Sequence, residues 1–149
     1  MKKIVIGADH RGFTLKENLE SFLTSKGYEV IDVGTNSTES CDYPDIAQLI
    51  AKKMISGQAE RGIMVCGSGV GASVAANKFK GIRAAVCHDT FSAHQGVEDD
   101  DMNFLCLGGG IIGESVAKEI AVSFLEAKFK PEERYIRRLE KVKKIEKEN

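Results

Sequence analysis

Arg61-Gly-Ile-Met-Val-Cys66-Gly-Ser-Gly-Val-Gly71-Ala-Ser-Val-Ala-Ala76-Asn-Lys78 joins a short apolar run to an alanine-rich stretch through a glycine loop. The apolar run reads as a strand and the alanines as a helix, the repeating unit of an α/β protein. Gly67, Gly69 and Gly71 free the backbone to turn sharply and aim its N–H groups at one point. The positive end of the helix lies behind that point. One thiol, Cys66, stands at the lip of this anion cradle and one hydroxyl, Ser68, inside it. A reactive group beside an oxyanion site is equipment for catalysis, and a packing turn has no use for it.

Outward from this unit the same alternation runs along the whole chain. Strands are expected at residues 3–8, 28–33, 62–65, 82–87 and 104–107. Helices are expected at 14–26, with Leu15, Leu19, Phe22 and Leu23 on one face, and at 44–55, 90–97 and 114–128. Pro131 opens a last, highly charged helix. The prediction is an α/β fold: a doubly wound, five-stranded parallel sheet of Rossmann-like type, with a charged C-terminal helix. All of residues 1–149 are read as one domain. Such sheets bind ligands beyond the carboxyl ends of their strands. The polar candidates are therefore Asp9-His10-Arg11, residues 36–43, residues 66–71, His88-Asp89 and residues 108–110.

Composition narrows the class. A net charge of −1 gives no general attraction to nucleic acid or to an anionic membrane, and no apolar run approaches a membrane span. The first residues enter a strand pattern directly, so no signal peptide is expected. Cys41, Cys66, Cys87 and Cys106 form no C-x-x-C pair, and with three histidines a zinc site is not expected. Four free thiols suit a reducing cytoplasm, and Cys87 and Cys106 sit at apolar strand positions as core residues.

Other constellations leave alternatives open. The loop matches the dinucleotide pattern G-x-G-x-x-A, with Asp89 about 20 residues further on. It follows the third strand, however, where that fingerprint belongs to the first, and the full dinucleotide fold needs a sixth strand. Asp9 either caps the following helix beside a solvated His10, or faces Cys66 together with His10 if strands one and three are neighbours. In the second case the carboxylate suits a sugar hydroxyl and the imidazole a phosphate. Arg134 and Arg138 share a helix face, either as a fork for a phosphate dianion or as a solvated stripe. Glu98, Asp99, Asp100 and Asp101 lack the Asn, Gly and Glu of a calcium loop and read as a helix end or solvated loop.

With these residues assembled, the chain resembles the ribose-5-phosphate isomerase B family, which includes the galactose-6-phosphate isomerase subunits. The matching pieces are Gly7-Ala-Asp9-His10, Val30-Ile-Asp-Val-Gly34-Thr35, Asp42-Tyr43-Pro44-Asp45, Cys66-Gly-Ser-Gly-Val-Gly71, Ala75-Ala-Asn77-Lys78, Gly81-Ile-Arg83-Ala84-Ala85 and Asn103. The resemblance implies interconversion of an aldose and a ketose phosphate, most directly ribose 5-phosphate and ribulose 5-phosphate. The route it implies is a cis-enediolate, with no metal and no organic cofactor. It gives Cys66 the proton beside the carbonyl, since the glutamate base of a second family type is Ala72 here. Ser68, usually threonine, would assist proton transfer at the oxygens. Gly67, Gly69, Val70 and Gly71 would hold the enediolate through backbone N–H groups. Asp9 and Tyr43 would contact the sugar, His10, Arg134 and Arg138 the phosphate, and Asp100 and Asn103 complete the substrate contacts. The resemblance also implies a homodimer or tetramer with each site between two subunits.

Three positions depart from the family pattern: Asp99 replaces a ring-opening histidine, Gly110 a phosphate-binding arginine, and Tyr135 a histidine. Ring opening is then expected of Asp99, or of His94 about one helical turn earlier. A tetrose 4-phosphate has its C4 oxygen esterified, forms no furanose and needs no ring opening. Tetrose 4-phosphates and hexose 6-phosphates are thus the alternative substrates. A sugar-phosphate-binding module without catalysis is a further alternative.

Overall fold

In a computed structural model, which describes residues 2–149, five strands alternate with helices in the expected order. They are β1 (Lys3–Ala8), α1 (Phe13–Ser25), β2 (Glu29–Asp32), α2 (Tyr43–Ile55), β3 (Arg61–Cys66), α3 (Val70–Ala76), β4 (Ala84–Val86), α4 (Thr90–Asp100), β5 (Phe104–Gly108), α5 (Glu114–Glu126) and α6 (Glu133–Glu148). The strands are apolar on both faces because both are covered. Ile4, Ile6, Ile63, Val65, Leu105 and Leu107 meet α1, α4 and α5 on one side. Val5, Met64, Phe104 and Cys106 meet α2 and α3 on the other.

All pairings are parallel, in the order β2-β1-β3-β5-β4. β1 lies beside β3, with Ala8 opposite Val65. From that boundary the chain leaves β1 toward β2 and leaves β3 toward β4. This divergence opens a crevice at the carboxyl ends of β1 and β3, where open α/β sheets bind ligands. The doubly wound parallel sheet expected from the sequence is the observed one.

The differences lie at element ends. The fourth strand is expected at 82–87 but is confined to β4 because side chains take over its edge. Asn77 accepts from Ala84 N–H at 2.8 Å and donates to Ala84 O at 2.9 Å. Asn103 accepts from Arg83 N–H and donates to Gly81 O, both at 2.8 Å. α4 continues past Val97 to Asp100 and stops where Asp101 turns left-handed at φ 52°. The acidic run is therefore a helix end. Asp89 accepts from Ser92 N–H at 2.6 Å and caps α4, a local structural use of this carboxylate. Among the described residues, no helix is long and apolar enough to cross a membrane.

Candidate active site

β3 ends at Cys66, whose side chain is buried and whose Sγ accepts from Gly69 N–H at 3.2 Å. That approach requires Gly69 to adopt φ 83°, a conformation costly for residues with a β-carbon. The carbonyls of Cys66 and Gly67 are tied to Gly109 N–H at 2.7 Å and Gly110 N–H at 3.0 Å. Among the described residues, no backbone hydrogen bond uses the N–H of Gly67 or Ser68. These two donors are left for a ligand. α3 has only seven residues, so the polarity at Cys66 comes chiefly from nearby N–H groups and little from a long macrodipole. Ser68 is exposed at the loop tip, and its Oγ accepts from Val70 N–H at 3.3 Å, leaving its proton free to donate.

The other deep thiols are packing groups, as expected. Burial pushes the Cys87 thiol up to about 11 and raises Cys106 well above its ordinary value. Both stay protonated at neutral pH.

The segment after β1 closes one side of the cradle. Asp9 is buried, and its Oδ1 accepts from Arg11 N–H at 2.9 Å and Gly12 N–H at 3.2 Å. Asp9 therefore clasps the turn that leads into α1 and does not cap the helix itself, whose N-cap is Gly12 with no side-chain cap; this occupies one oxygen and leaves Oδ2. His10 Nδ1 accepts from Cys41 N–H at 3.2 Å. Its proton is therefore on Nε2, a donor suited to an anion. From the start of α2, the Tyr43 ring lies over Gly71, whose added β-carbon would come within 2.8 Å of it. The sequence placed one further neighbour among the polar candidates without giving it a role. Arg11 lays its guanidinium on Gly67, where a β-carbon would meet Cζ at 2.3 Å. Nothing local in the sequence says that this side chain folds back.

Asp99, Asp100, Asn103, Arg134 and Arg138 are not brought to this crevice. Asp99 and Asp100 end α4, and Asn103 precedes β5, so they lie at the amino ends of the strands. β5 alone separates those ends by about 13 Å, at a rise of ~3.3 Å per residue. Asp99 accepts from Gln95 Nε2 at 2.7 Å. Burial and the charge of Asp99 raise the Asp100 carboxyl, against a pull from Arg138. Arg138 and Asp100 line the same groove beside Met102 and Leu139. Arg134 is held by Tyr135 Oη at 2.9 Å and by Glu132 at 2.9 Å. His94 stacks on Phe91 and pairs with Glu98, which also holds Lys130.

The arrangement combines a thiol, unspent N–H donors and a neutral imidazole, which suits moving a proton next to a carbonyl while its oxygen bears charge. Comparison with known proteins agrees. A family described as Ribose/Galactose Isomerase matches residues 4–142. The solved ribose-5-phosphate isomerase B of Clostridium thermocellum superposes with a TM-score of 0.95 at 45% identity, covering 98% of each chain. Ribose-5-phosphate isomerase B of Escherichia coli (strain K12) is 43% identical over 98% of this chain and 97% of its own. The D-erythrulose-4-phosphate isomerase of Pectobacterium atrosepticum is 41% identical over 87% of this chain and 86% of its own. A thiol-bearing glycine cradle at the β1–β3 switch point and this near-complete match lead to one assignment: the chain belongs to the ribose/galactose isomerase family, as an aldose–ketose isomerase of sugar phosphates.

Proposed function

We propose that the chain interconverts ribose 5-phosphate and ribulose 5-phosphate through a cis-enediolate, with Cys66 as the base. The observation that carries this reading is the sulfur of Cys66, held by Gly69 N–H beside the unspent N–H groups of Gly67 and Ser68. The thiolate takes the proton from C2 of the open aldose and returns it to C1. The Ser68 hydroxyl moves the companion proton between O1 and O2. Backbone donors hold the enediolate, where each well-aimed N–H is worth ~2.7–4 kcal/mol in the transition state. Oδ2 of Asp9 and the Tyr43 hydroxyl bind sugar hydroxyls, and His10 Nε2 donates to the phosphate.

A second copy of the chain completes the site with Arg134, Arg138, Asp99, Asp100 and Asn103. Their placement at the far end of the sheet from Cys66 supports this, since one chain leaves them too distant to share a substrate with it.

Asp99, paired with Gln95 where the family resemblance implies a ring-opening histidine, favours a second substrate that needs no opening, a tetrose 4-phosphate. The relative named D-erythrulose-4-phosphate isomerase is in keeping with it. The test is turnover in deuterated water across four- to six-carbon aldose phosphates, with Cys66→Ala and Asp99→His beside wild type. The first reading expects ribose 5-phosphate to lead, with deuterium entering at the transferred carbon and Cys66→Ala slower by about 10²–10⁴-fold. Full turnover in Cys66→Ala removes that residue as base. A tetrose phosphate in the lead, with ribose 5-phosphate turnover gained in Asp99→His, establishes the second reading.

A further inference from the structure

Arg11 is unused in the chemistry above, yet its guanidinium lies on the cradle. A β-carbon on Gly67 would stand 2.3 Å from Arg11 Cζ, 2.4 Å from one terminal nitrogen and 2.7 Å from Nε. The fork therefore rests on the backbone of the residue that follows Cys66. A β-carbon on Gly110 would come within 3.8 Å of the other terminal nitrogen. Gly67 thus makes the seat, which a side chain there would fill, and Gly110 borders it at ordinary contact distance.

The backbone beneath the side chain is fixed. Arg11 N–H donates to Asp9 Oδ1 at 2.9 Å, and Asp9 N–H donates to Val65 O at 3.2 Å, which ties the turn to β3. The side chain itself is exposed. Among the described residues, neither the hydrogen bonds nor the ion pairs include the Arg11 guanidinium, although carboxylates pair with Arg83, Arg134 and Arg137. A cation with five unspent donors, resting on Gly67 at the rim of a reaction centre, is placed to meet an anion from outside the chain.

We propose that Arg11 is a specificity-determining residue that receives the phosphate of the substrate in a bidentate grip, beside His10 Nε2. The enediolate is already served by the loop N–H groups, and the guanidinium stands outward of them, at the exposed rim shared with Gly110. The inference rests on reading the loop as the reaction centre. It assigns the phosphate end of the substrate to the side of the crevice formed by residues 10–11 and 110.

The experiment compares wild type, Arg11→Met, Arg11→Lys and the double variant Arg11→Met/Gly110→Arg. Readouts are kcat and KM for the best sugar phosphate, and the dissociation constant of inorganic phosphate by titration calorimetry. Arg11→Met is expected to raise KM and the phosphate constant about 10- to 100-fold, the scale of lost charge-assisted hydrogen bonds. Its kcat should change little. Arg11→Lys should recover part of the loss, because an ammonium lacks the fork. The double variant should recover more, since a guanidinium at position 110 enters the same seat from its other side. Gly110 has no left-handed φ to forbid the change, and its β-carbon, 3.1 Å from Gly67 O, requires a shift of a few tenths of an ångström there.

Unchanged KM and phosphate affinity in Arg11→Met overturn the proposal. A fall in kcat alone also overturns it, by placing the guanidinium at the reacting atoms. If wild type turned over no sugar phosphate, the activity reading would fail separately, because the phosphate titration still compares the variants.

Discussion

At the scale of single residues, what matters is what each polar atom touches. Gly69 N–H points at Cys66 sulfur, while Cys87 faces the Met102 sulfur and Cys106 is fully buried in the α2–α3 layer. Alkylation should read this difference directly. Iodoacetamide is expected to inactivate the native enzyme by modifying Cys66, with substrate slowing the loss. Their raised pKa should leave Cys87 and Cys106 unmodified until the protein unfolds. Peptide mapping that found Cys87 or Cys106 labelled before Cys66 would reverse the assignment. Asp9 shows the limit of reading residues singly, since it serves both as the clasp of the turn before α1 and as a wall of the crevice. Its residue type fits either use, and only the hydrogen bonds to Arg11 and Gly12 reveal the first.

At the scale of elements, α1 is tied to β2 through a fully buried lysine. Lys16 Nζ donates to both oxygens of Asp32, at 3.0 and 2.8 Å, and to Thr35 O at 2.8 Å. It also pairs with Glu17 at 3.0 Å, so a cation already fills the space among Glu17, Glu20 and Asp32. Burial would lower Lys16, but its carboxylate partners outweigh burial and raise it. Burial and the hydrogen bond to Asp32 push the Glu20 carboxyl from 4.5 to about 7. Folded Glu20 therefore keeps a proton that the unfolded chain releases. The stability it adds is complete below about 4.5 and is lost as pH rises through about 7. Urea midpoints should fall between pH 5 and pH 8, and Glu20→Gln should flatten that slope; an unaltered slope would exclude Glu20 as its source. Period-2 and period-3.6 patterns marked these elements well, because they report burial within a few residues. They overran at β4, where Asn77 and Asn103 replace ladder bonds with side-chain bonds that hydrophobicity does not register.

At the scale of the whole molecule, the sheet keeps two half-sites apart. Cys66, His10 and Tyr43 lie at the carboxyl ends of the strands, while Asp99, Asp100 and Arg138 lie at the amino ends. The second group borders an apolar groove of about 690 Å³ lined by Ile82, Met102, Leu139 and Val142. If copies complete one another, Cys66→Ala and Arg138→Ala chains should each be impaired alone yet restore activity when co-expressed. A two-fold dimer with random pairing should recover roughly a quarter of wild-type turnover, from mixed dimers with one intact site. Mixed oligomers without recovered activity would place both groups in one chain's site or outside catalysis.

Strand order, the β1–β3 crevice and the seat of Arg11 arise at this largest scale. The α/β class, the cradle and its thiol were readable in residues 61–78 alone, because glycine spacing and apolar periodicity act over a few residues. The contact of Arg11 with Gly67 and Gly110, and the separation of Asp99 from Cys66, depend on which strands pair. Residues distant in the chain meet only when backbone hydrogen bonding between strands sets their order and register, and no local pattern encodes that choice.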